Sequence, residues 1–277
     1  MIFSRRSFLN ASLATSAAAA VSASRSSGAA DENAGREYYE LRCYRMPAGG
    51  SPALLDGYLE KAMLPALKKR GIANVGVFTE VEIDRKAATT APKAGSPVWV
   101  LVPHPNLESF ASIASTLNTD PEVRKAGAEY LDTPKAKPGF ERIDTWLYVS
   151  FASMPKLQVP AFSASKVPTR IFEMRDYESH SELKALNKIA MFNNGEIALM
   201  KELGMSPVFY GQSLAGPNLP HLRYITCAPD LAAHLANWGK FGPHPKWNQM
   251  KDDPQYADNT TKTGPSIFLA PTAYSAI

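Results

Sequence analysis

Apolar and polar residues alternate over two short segments, 38–44 and 170–177, and this alternation predicts β-strands. Each predicted strand is followed by apolar residues at helical spacing, over 52–69 and 182–203, and a glycine ends each helix. The remaining predicted strands lie at 75–81, 98–102 and 145–149 and at 207–214, 222–227 and 266–269. A second helix in each half begins after Asn106 or Asp230. The predicted order is therefore strand, helix, strand, strand, helix, strand, twice.

The two halves also repeat in sequence. The run Tyr-Glu-Leu-Arg-Cys-Tyr at 39–44 returns as Phe-Glu-Met-Arg-Asp-Tyr at 172–177, a shift of 133 that also carries Gly71 onto Gly204. Further along, a shift of 124 carries Pro121 onto Pro245. Two registers kept over several elements indicate a tandem duplication. The change of register predicts a shorter connection between the second and third strands of the second repeat.

The duplication predicts the domain organisation. The first repeat spans 38–149, the second spans 170–277, and a proline-containing linker at 150–169 joins them. A βαββαβ unit is the ferredoxin-like motif, whose sheet has helices on one face only. The other face needs a cover, and a second copy supplies it, sheet against sheet. The fold class is therefore α+β, with two tandem ferredoxin-like repeats.

Several runs resemble the NIPSNAP family: the duplicated Glu-x-Arg strand, residues 191–198, and residues 236–247 with their tryptophans. The resemblance extends over 38–277 and is stronger in the second repeat. It implies membership of the dimeric α+β barrel superfamily, with the two repeats closing an intramolecular barrel around a central cavity. The family implies little agreed biochemistry, and we expect a small-molecule binding protein whose site is the cavity or its mouth. The alternatives are a cofactor-free monooxygenase or isomerase-type enzyme of the superfamily, or a haem-binding protein that uses His234.

The first residues predict export. Residues 4–9, Ser-Arg-Arg-Ser-Phe-Leu, match the twin-arginine pattern, and the weakly apolar stretch that follows is too short to span a membrane. Residues 1–30 are therefore expected to be a signal peptide that directs the chain to the periplasm or outside a bacterial cell. The segment holds three of the 30 basic residues and none of the 26 acidic ones, so the mature chain is nearly neutral. That balance gives no reason to expect nucleic acid as a partner.

A candidate site follows from the alternation along the first strand of each repeat. One face carries the apolar residues, expected under the helices, and the other carries a carboxylate, a guanidinium and a phenol, expected to point into the barrel. Such groups can orient a polar ligand, although an internal lattice of salt bridges is the alternative. The six residues are Glu40, Arg42 and Tyr44 in the first repeat and Glu173, Arg175 and Tyr177 in the second.

Differences between the repeats add two more candidates. Asn193 and Glu196 lie on the first helix of repeat two, where repeat one has Glu60 and Met63. We expect them to help form a site at the barrel mouth, built mainly by repeat two, with a raised Glu196 pKa if that carboxyl is buried. The alternative for Glu196 is a position at the solvent edge of its helix.

Metal and cofactor signals are weak. The five histidines lack the spacing of metal ligands, and His234 is the one whose position suits a haem or metal ligand.

Cys43 and Cys227 either form a disulfide between the repeats or remain separate buried thiols. The sequence requires no cofactor. The expected partner is a small-molecule ligand; the mature chain has no membrane span, and self-association is left open.

Overall fold

The first repeat has the predicted elements together with three additional short ones. The computed structural model describes Asn33 and residues 35–277, so the predicted signal peptide lies outside the described residues. The elements are β1 (Tyr38–Arg45), α1 (Ala53–Tyr58), a π-helical segment (Leu59–Met63), α2 (Leu64–Lys69), β2 (Gly76–Asp84), β3 (Thr89–Pro92), β4 (Val98–His104), α3 (Leu107–Thr119), α4 (Pro121–Ala126), α5 (Ala128–Leu131) and β5 (Arg142–Ser150).

The linker contributes one short helix, and the second repeat then follows the same order. The elements are α6 (Ala161–Ala164), β6 (Ile171–Glu178), α7 (Glu182–Met191), a π-helical segment (Phe192–Glu196), α8 (Ile197–Glu202), β7 (Ser206–Ala215), β8 (His221–Ala228), α9 (Leu231–Phe241), α10 (Pro245–Lys251), a 3₁₀ turn (Pro254–Tyr256), β9 (Lys262–Thr263) and β10 (Ile267–Pro271).

The helix ends confirm the expected signals. The side chain of Asn106 accepts a hydrogen bond from the Ser109 amide at the start of α3, and Asp230 does the same for Ala233 at the start of α9. Gly71 and Gly204 follow the first helices with φ of 82° and 86°, a left-handed conformation that glycine adopts without strain. The same local chemistry therefore ends the same elements in both repeats.

The two sequence shifts reappear in the structure. The π-helical segments Leu59–Met63 and Phe192–Glu196 lie 133 residues apart, so both first helices widen at the same turn. The connection from β2 to β4 contains the extra strand β3, which forms a hairpin with β2, whereas β7 and β8 are joined only by 216–220. The shorter connection in repeat two is the expected cause of the change of register.

Eight strands close into an antiparallel barrel. Repeat one has the strand order β2-β4-β1-β5, and repeat two has the equivalent order β7-β8-β6-β10. The last strand of each repeat pairs with the second strand of the other: β5 with β7, and β10 with β2. The predicted fold class, two ferredoxin-like repeats closing one barrel, is confirmed. The boundaries 38–149 and 170–277 stay predictions, because residues 35–277 form one compact unit by contacts.

The barrel interior is filled by large apolar side chains from both repeats. Tyr39 and Leu41 of β1 are fully buried there together with Phe172 of β6. Phe78 meets Phe172 with ring centroids 5.0 Å apart, and Tyr39 meets Phe209 at the same separation. Linker residues and the C-terminal Ile277 also pack against this cluster. The space that the resemblance assigned to a cavity is therefore occupied by hydrophobic core.

This packing reverses one prediction. Leu41 and Met174 were expected under the helices but lie inside the barrel. Glu40, Arg42 and Tyr44, and likewise Glu173, Arg175 and Tyr177, were expected inside the barrel but lie on the outer face, under the helices. Tyr44 packs with residues of α1 and α2, and Glu173 bonds to side chains of α9. The alternation correctly grouped the residues by strand face, but the inner and outer faces of the barrel were assigned the wrong way round.

The reason for the exchange is physical. The interior of an eight-stranded barrel is just wide enough for side chains to fill, and apolar side chains need no hydrogen-bond partners there. The space under the helices is lined by side chains that can pair with charged groups, so most of the polar face forms hydrogen bonds there.

The two cysteines do not form a disulfide. Cys43 and Cys227 are both free and buried, so the alternative of two separate thiols is the one observed. Burial raises the pKa of the Cys43 thiol to about 12, which keeps it protonated and unreactive.

Among residues 35–277, no helix has the length and apolar character needed to cross a bilayer.

Candidate functional site

In the first repeat the three polar residues of β1 form a closed network. Arg42 donates from Nε to Glu40 Oε1 at 2.6 Å and from Nη2 to Glu40 Oε2 at 2.9 Å. Its Nη1 lies 3.3 Å from the Tyr44 hydroxyl. Both edges of the guanidinium are therefore occupied by residues of its own strand.

In the second repeat the equivalent carboxylate is bound by other donors. Glu173 Oε2 accepts from Trp238 Nε1 at 2.7 Å and lies 2.9 Å from His234 Nε2; both residues come from α9. Only Oε1 faces Arg175, whose Nη1 is 3.3 Å away. Arg175 Nε is buried and has no hydrogen-bond partner among the described residues. The same Glu-x-Arg pair is thus closed in repeat one and partly open in repeat two.

The Arg175 guanidinium lies between aromatic rings. Its Cζ is 4.5 Å from the ring centroid of Trp238 and 5.8 Å from that of Tyr177. The Tyr177 hydroxyl is 3.3 Å from that of Tyr224, on the neighbouring strand β8. The Arg175 side chain retains 21% of its exposure, so the site is open to solvent at this residue.

A buried ion pair lies beside these residues. Lys188 Nζ of α7 donates to Glu196 Oε2 at 2.9 Å, and the two side chains are only 5% and 3% exposed. Three rings surround the ammonium, with centroids at 4.7 Å for Phe192, 5.3 Å for Tyr177 and 5.5 Å for Trp247. Lys188 precedes the π-helical segment and Glu196 ends it. A π-helical turn contains one more residue than an α-helical turn, which brings Glu196 closer to Lys188.

Burial and neighbours set the charge of the two carboxylates. Burial raises the pKa of Glu196 above its ordinary value, although Lys188 opposes this. Burial acts in the same direction on Glu173, but the hydrogen bond from His234 and the charge of Arg175 outweigh it, and the pKa of Glu173 is lowered. Glu173 is thus held ionised, while Glu196 is the carboxyl more easily protonated.

The predicted site residues are therefore only partly brought together. Glu173, Arg175, Tyr177 and Glu196 meet in one cluster, which we call the repeat-two site, together with Lys188, His234, Trp238 and Trp247. Asn193 is not part of it, because its side-chain oxygen accepts from the amide and hydroxyl of Ser153 in the linker. Glu40, Arg42 and Tyr44 form the separate network of repeat one. The expected position at the barrel mouth is wrong for Glu196, which lies between helix and sheet.

His234 does not fit the alternative of a haem ligand. Its side chain is 4% exposed, its Nε2 is directed at Glu173, and its ring packs edge-on against Phe268 at 5.5 Å. Moreover, no cluster of histidine, cysteine or acidic residues in 35–277 is arranged to hold a metal ion.

Sequence reasoning did not include Lys188 or the two tryptophans among the site residues. The signal was present in the repeat itself. The shift of 133 places Leu55 at the position of Lys188, and the shift of 124 places Ala114 and Val123 at the positions of Trp238 and Trp247. Comparing every position of the two repeats, rather than one helix, would have found all three.

The barrel interior also holds an ion pair that was not predicted. Asp176 accepts two hydrogen bonds from the guanidinium of Arg223, which is 5% exposed and stacks over Trp146 at 4.6 Å. At the two shifts, repeat one has Cys43 and Trp99 at these positions. The second repeat is therefore the more charged one on both faces of its sheet.

Comparisons with known proteins bear on the family and on the fold. A family model described as NIPSNAP matches residues 172–276. The matched region coincides with the second repeat, which is therefore similar to the NIPSNAP family. No protein of curated function matches the sequence significantly.

Solved structures support the fold. A candidate monooxygenase from Lactobacillus acidophilus aligns with a TM-score of 0.51 and 7% identity, over 85% of this chain and 94% of its own. A second, from Fusobacterium nucleatum, has a TM-score of 0.52 and 9% identity, over 85% and 92%. A NIPSNAP-like domain protein from Burkholderia xenovorans is 18% identical over 39% of this chain and 89% of its own, with a TM-score of 0.35. At these identities the first two structures support the α+β barrel fold alone and give no information about the activity of this chain.

Proposed function

We propose that this chain is an exported NIPSNAP-like protein that binds a small molecule carrying a carboxylate, in the repeat-two site between the helices and the outer face of the sheet. The observation that carries the proposal is Arg175. Its side chain is 21% exposed, its Nε is buried without a hydrogen-bond partner among the described residues, and its guanidinium lies next to a Trp and a Tyr ring.

The first repeat supports this reading of Arg175. In an arginine, Nε and Nη2 form the edge that binds a carboxylate through two parallel hydrogen bonds. In Arg42 this edge is filled by Glu40. In repeat two, His234 and Trp238 hold the equivalent Glu173 away from the same edge of Arg175. An external carboxylate can take the place that Glu40 has in repeat one, and the flanking rings suit a ligand with a flat apolar part.

The ion pair of the site supports a role beyond packing. Where repeat two has Lys188 and Glu196, repeat one has Leu55 and Met63, which are fully buried in hydrophobic core. The fold is thus stable with apolar residues at these positions. A buried ion pair often contributes no more stability than well-packed apolar residues, so its presence in one repeat favours function.

The proposal that the chain is exported is based on the twin-arginine pattern, Arg5 and Arg6 followed by Phe8 and Leu9. This route carries folded proteins, so a ligand bound before export would cross the membrane inside the protein. Protein recovered from the periplasm is therefore the right material for a ligand search.

The test compares two arginines on equivalent strands. Native mass spectrometry of the exported protein is expected to show a bound small molecule, and titration with benzoate is expected to quench tryptophan fluorescence, whereas benzyl alcohol is not. Arg175→Met should weaken benzoate binding by roughly 10–100-fold, the range for losing a charged hydrogen-bonded contact of about 1.5–3 kcal/mol.

Arg42→Met is the matched control. It removes an arginine from the equivalent strand but leaves Glu40 without its main partner, so it should lower the thermal midpoint and retain benzoate binding in the folded fraction. Equal loss of binding in both variants, or no binding by the wild type, would refute the proposal.

A further inference from the structure

A second array of functional groups lies on repeat one, apart from Arg175. Ser109 Oγ is 3.0 Å from His104 Nδ1, and His104 Nε2 is 3.2 Å from Glu40 Oε2. A hydroxyl, an imidazole and a carboxylate are thus joined in one line of hydrogen bonds. This order is the one in which a base activates a nucleophile and a third group orients the base.

The fold does not require this line. The shift of 124 places Ala228 at the position of His104 and Ala233 at that of Ser109, so repeat two forms the same strand and helix without either group. Glu40 does not depend on His104 for charge balance, because Arg42 already binds both of its oxygens.

The protonation states suit a base and its orienting group. Burial raises the pKa of Glu40, but the hydrogen bond from His104 and the charge of Arg42 outweigh it, and the pKa is lowered overall. An ionised Glu40 accepts a hydrogen bond from Nε2–H of His104, which leaves the lone pair of Nδ1 directed at the Ser109 hydroxyl. His104 is fully buried and Ser109 is partly exposed, so a reagent reaches the serine and not the imidazole.

The surroundings of Ser109 supply donors for a developing oxyanion. Ser109 lies in the first turn of α3, where backbone amides have no partner within the helix. Its own amide is bound by Asn106, which leaves those of Leu107 and Glu108 in the same turn. Amides at a helix start favour negative charge.

We propose that Ser109 is a nucleophile for small activated esters, with His104 as general base and Glu40 as a positioning residue. Ser109 Oγ forms a bond to the acyl carbon while its proton passes to His104 Nδ1, and the ester C–O bond breaks to release the alcohol with that proton. Water then attacks the acyl-serine, which releases the carboxylic acid and restores the serine. Ser109 is partly exposed at the start of a surface helix, so the expected substrate is a short acyl ester, whose acyl group needs no deep pocket.

The experiment uses the full chain and diisopropyl fluorophosphate. The reagent forms a P–O bond to an activated serine and releases fluoride, and intact mass and peptide mapping locate the adduct. We expect one adduct, on Ser109, and slow release of p-nitrophenol from p-nitrophenyl acetate. Ser109→Ala should abolish both. Ser112→Ala is the matched control, because Ser112 lies on the same helix with its hydroxyl bound to the Glu108 carbonyl, and it should change neither.

Two further readouts separate a base from a structural histidine. His104→Ala should slow labelling by roughly 100-fold, and free imidazole should restore part of the rate. If His104→Ala does not fold, His104→Gln replaces it; its amide cannot act as a base, so labelling should slow to the same extent. No adduct on Ser109, or a labelling rate unchanged by loss of the His104 imidazole, would overturn the proposal and leave binding at Arg175 untouched.

Discussion

Single positions that differ between the repeats change the chemistry of the same fold. Lys188 and Glu196 replace Leu55 and Met63 at equivalent places under the first helix, and all four side chains are buried. An ionised pair under a helix is held by one hydrogen bond of 2.9 Å and by its mutual charge. The stability that each charged side chain contributes therefore depends on its partner far more than it does for the apolar pair Leu55 and Met63.

This dependence gives a prediction at the residue scale. Glu196→Gln leaves the Lys188 ammonium buried without a counter-charge and should cost about 3–5 kcal/mol of unfolding free energy. The double variant Lys188→Leu with Glu196→Met, which copies repeat one, should recover most of that loss. Urea denaturation of the three proteins measures both effects. A single variant as stable as wild type would show that the pair is not mutually dependent.

Sequence alone could predict which residues share a strand face but not which face is inside. The period of two grouped Glu173, Arg175 and Tyr177 correctly, because alternation is a local property of an extended chain. Choosing the inner face requires knowing what lies opposite, and Trp238 and His234 are about sixty residues away in sequence. Lys188 was missed because a lysine on an amphipathic helix is normally exposed.

The elements themselves were largely predictable, since their signals are local. Caps, glycine stops and hydrophobic periods lie within a few residues of each helix and strand. The π-helical segments were not predicted, because widening of one turn leaves the hydrophobic stripe nearly unchanged. The hairpin strand β3 carries no such signal, since its residues are exposed and show no alternation of burial.

At the scale of elements, one carboxylate ties the first strand of each repeat to its second helix. Glu173 joins β6 to α9 through His234 and Trp238, and Glu40 joins β1 to the start of α3 through His104 and Ser109. In both carboxyls the pKa is lowered from an ordinary value of 4.5. A lowered pKa contributes stability that is present above the unfolded value and is lost as pH falls through the folded value.

Acid should therefore loosen both ties. The unfolding free energy of the wild type is expected to fall steeply as pH decreases below the ordinary carboxyl value of 4.5. Glu173→Gln should be less stable than wild type at pH 7 and lose less on acidification, because its amide cannot titrate. Urea denaturation at several pH values between about 7 and 3 gives both slopes. Equal slopes for the two proteins would contradict the assignment.

The closure of the barrel lies beyond local sequence signals. The pairings of β5 with β7 and of β10 with β2 join residues far apart in the chain, and no periodicity records them. The duplication made closure predictable in outline, because two one-sided sheets need each other as cover. It did not show how full the interior would be, since that depends on side-chain volumes contributed by all eight strands.

A glycine on the inner face tests that filling. A methyl group added at Gly211 of β7 would lie 2.7 Å from Tyr148 Cβ, whereas one added at Gly239 of α9 would meet nothing within 4 Å. Gly211→Ala should therefore cost about 1–3 kcal/mol, the range for overpacking a filled core. Gly239→Ala should instead stabilise by about 0.5–1 kcal/mol, because alanine replaces glycine inside a helix. If Gly211→Ala is as stable as wild type by thermal and urea denaturation, the interior has room to spare. In that case the search for the ligand returns from the outer face of repeat two to the centre of the barrel.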